Sequence, residues 1–220
     1  MRHPDDALLM AYAAGSLSEA VSLLVATHVS MCPRCRRVLA RLDEIGGALL
    51  ASAQPPSPDD DIGLDAMLAR LDEPIPPTSN PEPAALPEAF ADLNLPEPLR
   101  SYVARAGVSD WTAVLPGVVR KITLPIVWEG APVRLTRVRG GFTVPMHTHE
   151  GTEFNLVLAG GFHDRGEAYQ PGDVAENHED VTHVLHIDPG EDCVILAVNE
   201  APLVPVGALA QIASLITGGF

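Results

Sequence analysis

Nine prolines fall between Pro55 and Pro87, and no other feature limits the fold as much. Proline lacks a backbone N–H and fixes φ, so neither a helix interior nor a central strand passes through such a run. The segment reads as an extended, semi-stiff tether, and packed structure has to be built on either side of it. One island interrupts it: Leu64, Met67, Leu68 and Leu71 share one face of a short amphipathic helix. Flanked by proline, that helix cannot bury its stripe on itself. It must dock on the helices before it or on a partner.

Before the tether the apolar period is helical. Ala7 to Tyr12 give a short first helix ended by Gly15, and Ser16-Leu17-Ser18-Glu19 caps a second over Ala20 to Met31. Pro33 opens a third, Arg34 to Leu50, weakened near its end by Gly46 and Gly47. After a helical stretch near Leu95 to Ala106 the period changes. Val118 to Trp128, Val133 to Val138, Glu153 to Ala159, Gly161 to Asp164, Val181 to Ile187 and Cys193 to Asn199 are short β-rich runs separated by Gly and Pro turns. Many short strands with such turns indicate a sandwich or barrel. Val206 to Ile216 reads as a final helix over one barrel end.

The formal charge of −15 is unevenly spread. Residues 1–53 carry 5 basic and 5 acidic side chains, residues 54–88 one Arg against 8 acids, and residues 89–220 8 basic groups against 16 acids. So acidic a surface repels phosphate backbones, which argues against direct nucleic-acid binding. The first residues carry acids and no apolar core, and no apolar run approaches the roughly 20 residues a membrane helix needs. A cytoplasmic location, away from membranes, is the expectation.

Three cysteines cannot form a disulfide framework, and two of them are three residues apart. His28-x3-Cys32-x2-Cys35 puts a histidine late in one helix and two thiols at the turn into the next. Structural zinc takes four N or S ligands in a closed tetrahedron, and about 50 residues of helix bury too little surface to be stable alone. The fourth ligand is missing locally, and His3 is the candidate. A redox Cys-x2-Cys is the alternative, weakened by the lack of a βαβ context. With His3 about 25 residues upstream, the pattern resembles the zinc-binding anti-sigma domain. In that family a fourth helix, matched by the stripe at Leu64, Met67, Leu68 and Leu71, joins the first three in gripping a sigma factor.

Gly141-x5-His147-x-His149-x3-Glu153-x6-Gly160 resembles the first cupin motif at every spacing. Alternation along a strand points His147 and His149 to one face, and Glu153 can return on the neighbouring strand. The resemblance implies a further histidine at His183, with His178 as its substitute, although the second motif is degraded: His178, Asp180 and Ile187 occupy its Pro, Gly and Asn positions. Three histidines and a carboxylate suit Zn2+, Mn2+ or Fe2+. His163 and His186 read as surface or hydrogen-bonded residues, Glu150 as a residue of the pocket mouth or of the solvated surface, and Cys193 as a buried inert thiol.

The combination resembles the ChrR family of anti-sigma factors. It implies a multi-domain chain: an N-terminal all-α zinc-binding domain over 1–73, a Pro-rich linker over 74–88, and a C-terminal all-β cupin barrel (jelly-roll) over 89–220. The implied function is that of a transcriptional regulator and not an enzyme. It would sequester an extracytoplasmic-function (ECF) sigma factor through the zinc domain. Release would follow singlet oxygen or related oxidative stress sensed through the cupin metal, zinc in that family. A homodimer through the cupin is left open. The competing reading is a metal-dependent cupin enzyme of dioxygenase or isomerase class with an accessory zinc module; a third is a scaffold binding another partner through the amphipathic stripe.

Overall fold

The structure, a computed structural model, describes residues 1–54, 63–73, 86–201 and 204–206. The proline runs on either side of the amphipathic stripe, and the expected terminal helix beyond Val206, lie outside the described residues.

Three helices come first: α1 (Asp6–Ala13), α2 (Glu19–Met31) and α3 (Pro33–Ser52). Each begins where its sequence supplies a cap. Asp5 accepts from the Leu8 N–H at 2.6 Å and Ser18 from the Val21 N–H at 3.3 Å. At α3 the Cys32 sulfur takes the same place, accepting from the Cys35 N–H at 3.4 Å, with Pro33 in the first turn. Gly15 leaves α1 in the left-handed region at φ +66°. Gly46 and Gly47 do not end α3, which continues to Ser52. A short α4 (Leu64–Ala69) and the 3-10 turn Arg70–Asp72 follow.

The chain then passes through a 3-10 turn at Glu88–Phe90 and α5 (Glu97–Arg105) into eleven described strands. These are β1 (Thr112–Leu115), β2 (Val119–Trp128), β3 (Ala131–Val138), β4 (Thr143–Thr148), β5 (Glu153–Ala159), β6 (Phe162–Asp164), β7 (Glu167–Tyr169), β8 (Val174–Asn177), β9 (Thr182–Ile187), β10 (Cys193–Asn199) and β11 (Val204–Pro205). They form two antiparallel sheets, ordered β1-β2-β3-β10-β5-β8 and β11-β4-β9-β6-β7. Helices first and a cupin-like pair of antiparallel sheets second is the architecture expected from the change of period.

The larger sheet is covered on both faces. Its outer face packs on α2 and α5, so that Leu24, Val25 and Leu39 share one core with Phe90, Leu95, Leu99, Leu124, Leu135, Phe154, Leu156 and Leu196. The inner face meets the smaller sheet around Val138, Val157, Phe162, Ile187 and Ile195. Double burial explains why β5 and β10 read as continuous apolar runs instead of alternating. The same sandwiching explains α2, which is apolar on most faces because it lies between its neighbouring helices and the sheet. Each fully buried leucine here is worth about 1.5–3 kcal/mol over exposure. The helical unit therefore leans on the sheet for stability as well as on its own sulfur and nitrogen donors.

Candidate metal centres

His3, His28, Cys32 and Cys35 come together where the chain before α1 folds back over the α2–α3 turn, with ligand atoms all within 4.8 Å of one another. His28 Nε2 lies 3.2 Å from Cys35 Sγ and 3.4 Å from His3 Nδ1, which is 3.4 Å from Cys32 Sγ and 3.5 Å from Cys35 Sγ. Zinc–nitrogen bonds of about 2.0–2.1 Å and zinc–sulfur bonds of about 2.3 Å imply tetrahedral edges of roughly 3.3 Å between nitrogens and 3.6 Å between nitrogen and sulfur. The donors fit that tetrahedron. Only an imidazole N–H can pair with a carbonyl, so His28 Nδ1–H donates to Gly172 O at 2.8 Å, leaving the Nε2 lone pair for the donor cluster. Burial, then the neighbouring Cys32 sulfur, pushes the Cys35 thiol up to about 11 in the absence of a cation. A metal bound there displaces a proton.

The second set is His147, His149, Glu153 and His183, again within 4.8 Å, and all four are buried. His147 comes from β4, His149 from just past its end, and His183 from β9, paired in register with His147. Glu153 opens β5, in the opposite sheet, and not on a strand neighbouring β4 as alternation along the chain suggested. Gly151, in the left-handed region at φ +98°, lies in the turn that carries the chain between sheets, and the carboxylate reaches across the barrel. His149 Nε2 lies 2.9 Å from His183 Nε2 and 3.5 Å from Glu153, whose carboxylate is 3.7 Å from His183.

Two supports orient these rings. His147 Nδ1–H donates to Pro145 O at 2.9 Å, and His183 Nδ1–H donates to Asp164 Oδ2 at 2.8 Å. Each bond fixes the tautomer that presents Nε2. His147 Nε2 and His149 Nδ1 are buried without hydrogen-bond partners among the described residues. A buried lone pair without a donor is costly, and at His147 Nε2 a cation relieves it; His149 turns Nε2, and not Nδ1, toward His183 and Glu153. Burial lowers His147 and His149 to about 4, so both rings are neutral at pH 7 and free of a proton that would oppose a cation. It raises Glu153 to about 7, against the opposing hydrogen bonds from Asn177, Asn155 and Asn199. The donor set fits a divalent cation of the kind three histidines and a carboxylate select.

The remaining histidines stand apart. His178 is exposed, 3.7 Å from Glu176; His163 pairs with Asp188 at 2.8 Å; His186 contacts Thr143 Oγ1 at 3.2 Å. Cys193 is fully buried. On the amphipathic stripe Met67, Leu68 and Leu71 are exposed at 60%, 49% and 78%, so they are not docked on the preceding helices. The Leu64 side chain lies outside the described residues.

The sequence reading missed Asp164, Gly172 and β8, which joins the two clusters. At one end of β8, Asn177 is in register with Glu153 and donates to its carboxylate at 3.3 Å. At the other, Gly172 O holds His28, Asp173 Oδ1 accepts from the Arg2 N–H at 2.6 Å, and the Val174 N–H donates to Arg2 O at 3.2 Å. Gly172 has φ +93°, and a Cβ there would meet Met1 at 2.6 Å. The Met1 methyl can move aside, so the left-handed backbone of this turn, and not the contact, is what calls for glycine.

Comparison with known proteins agrees with this layout. A zinc-finger family model matches residues 6–36, and the ChrR cupin-like domain matches residues 100–203. The anti-sigma-E factor ChrR of Cereibacter sphaeroides is 40% identical over 201 residues, 91% of this chain and 90% of that protein. The crystal structure of Rhodobacter sphaeroides SigE in complex with the anti-sigma ChrR is similar with a TM-score of 0.70 and 37% identity, over 90% of this chain and 98% of that one. No described helix is long and apolar enough to cross a membrane. Helices carrying a His-Cys cluster, a cupin-like barrel after them, and similarity along nine-tenths of the chain place this protein in the ChrR family of anti-sigma factors.

Proposed function

We propose that this chain sequesters an ECF-type sigma factor through its N-terminal helices and releases it when singlet oxygen or a related oxidant damages the cupin metal site. It thereby acts in the cytoplasm as a negative regulator of transcription and not as a catalyst. The observation that carries the reading is a divided apolar surface. Ile45, Leu49 and Leu50 on α3, Met67 and Leu68 on α4, and Leu71 in the 3-10 turn after it are large apolar side chains exposed to solvent. Surface of this kind marks a partner site, and the similar ChrR chain was crystallised with SigE. The working division is a zinc-binding anti-sigma domain over 1–73, a linker over 74–88 and a cupin domain over 89–220.

In this scheme His3, His28, Cys32 and Cys35 hold zinc that staples the gripping helices. His147, His149, Glu153 and His183 hold a second cation, zinc or else Mn2+ or Fe2+, that keeps the barrel closed. Imidazole is a target of singlet oxygen, and loss of one ligand from four weakens a site sharply. Release of Glu153 frees Asn177, and β8 transmits the change to Gly172 and Asp173, which hold His28 and Arg2.

The test is coexpression of the full chain with an ECF sigma factor, followed by co-purification and metal analysis. The expected product is a stoichiometric complex carrying two metal ions per chain. Met67→Glu combined with Leu71→Glu should abolish capture with the fold intact. A doubly substituted chain that still captures the sigma factor would overturn the reading.

A further inference from the structure

The β6–β7 hairpin turns on two residues, Arg165 and Gly166, between Asp164 and Glu167, which face each other in register. Both turn residues lie in the left-handed region, at φ +48° and +82°. Such a turn calls for asparagine or glycine first and glycine second, and a side chain as long as arginine is unfavourable in it. Glu129 adopts the same conformation in the β2–β3 turn, so the strain is tolerable. What sets Arg165 apart is where its guanidinium goes.

Arg165 is itself exposed, yet it reaches two buried residues that each hold a ligand of the barrel centre. Its Nη2 donates to Asn177 Oδ1 at 2.7 Å, and its Nε lies 3.4 Å from Asp164 Oδ2. Asn177 in turn donates to Glu153, and Asp164 accepts from His183 Nδ1–H. Glu153 and His183 belong to opposite sheets, and one guanidinium supports both. The chemistry fixes each orientation. A guanidinium can only donate, so Asn177 turns its carbonyl oxygen to Arg165 and its NH2 to the Glu153 carboxylate. Flipped, the amide would set oxygen against oxygen. At Asp164 the positive charge stands beside a fully buried carboxylate, which is costly to keep ionised without a counter-charge.

We propose that Arg165 is a positioning residue of the barrel centre: from the β6–β7 turn it sets Glu153 through Asn177 and His183 through Asp164. It acts through those two residues and not as a ligand. The proposal rests on the assignment of a cation to His147, His149, Glu153 and His183, and adds a residue outside that set.

The test is chelator competition on the cobalt-substituted full chain carrying Arg165→Gly, Arg165→Asn or Arg165→Lys. Glycine and asparagine suit the turn, so the unfolding midpoint of the metal-free full chain should hold or rise. The barrel cobalt should nevertheless be lost at about tenfold lower chelator. A residue that served the fold alone would not separate the two readings. Lysine keeps the charge without the planar fork and should weaken the site by about threefold or more. The cysteine-bearing centre, followed by its thiolate-to-cobalt band, should not change. Because Arg165 works partly through Asn177, Arg165→Gly should cost less affinity in an Asn177→Ala chain than in the parent. Unchanged barrel affinity in the glycine and asparagine variants, a midpoint that falls along with the affinity, a lysine variant equal to the parent, or additive losses with Asn177→Ala would each overturn the proposal. A parent chain that holds no cobalt at the barrel set would overturn the assignment of that centre, and the proposal with it.

Discussion

Replacing Asp164 with leucine removes the acceptor that fixes His183 while keeping the branched shape of the side chain. Asp164 is 1% exposed, and its bond to His183 Nδ1 is 2.8 Å long with both side chains buried. Without it the Nδ1–H loses its partner, and the ring gains by moving its proton to Nε2, the atom that faces His149 and Glu153. Loss of such a support typically weakens metal affinity 10–100-fold, which is about 1.4–2.7 kcal/mol. That agrees with the roughly 1.5–3 kcal/mol carried by a hydrogen bond to a charged group. Asp164→Asn keeps a neutral oxygen acceptor and should cost less than about tenfold. The assay is chelator competition on the cobalt-substituted chain. Only the set containing Cys32 and Cys35 gives thiolate-to-cobalt charge transfer, so the two centres are followed separately. Asp164→Leu should leave that band unchanged while the all-oxygen-and-nitrogen site empties earlier. An Asp164→Leu chain that holds its barrel metal as tightly as the parent would refute the reasoning.

Three further outcomes follow from the packing. Asp173→Ala removes the acceptor of the Arg2 N–H, so affinity at the N-terminal centre should fall by about tenfold and amide exchange at residues 2–3 should quicken; unchanged exchange would contradict the contact. Leu24→Ala should cost about 2–5 kcal/mol, and because Leu24 shares its core with the sheet, helix and sheet probes should shift together in denaturant; loss of the helical signal alone would argue for separate cores. Burial pushes the Cys193 thiol up to about 12, so at pH 8.5 only on the order of one molecule in three thousand carries the thiolate, and iodoacetamide should spare it until the chain unfolds. Labelling at the rate of a free cysteine would contradict its burial.

Local chemistry was legible in the sequence, and contacts made across the barrel were not. His28, Cys32 and Cys35 lie within eight residues, and the capping of α1 to α3 is set by immediate neighbours, so spacing alone located them. His3 was reached as the missing fourth zinc ligand and His183 through the cupin resemblance, because no local periodicity points to either. β4 was read as a strand only at His147 and His149, within the cupin-like motif: Pro145 interrupts its alternation, and its partner β9 is distant in sequence. β1, β7 and β8 are only three or four residues long, and Val-Ala-Glu-Asn at β8 has a polar end that reads as loop. Asp164 sits at a turn signal, where an acid is ordinary; only the folded barrel turns it toward His183.

The most direct test follows the sigma complex itself. The full chain, coexpressed with its sigma factor and immobilised, is exposed to photosensitised singlet oxygen, and the sigma factor released is measured for the parent and for His147→Ala and Glu153→Ala. The account predicts that the parent captures sigma fully and releases it on exposure, whereas each variant, already short of one ligand, captures less sigma and releases no further fraction when exposed. Full capture by the variants, with release matching the parent, would contradict the claim that the barrel site governs the grip of the helices.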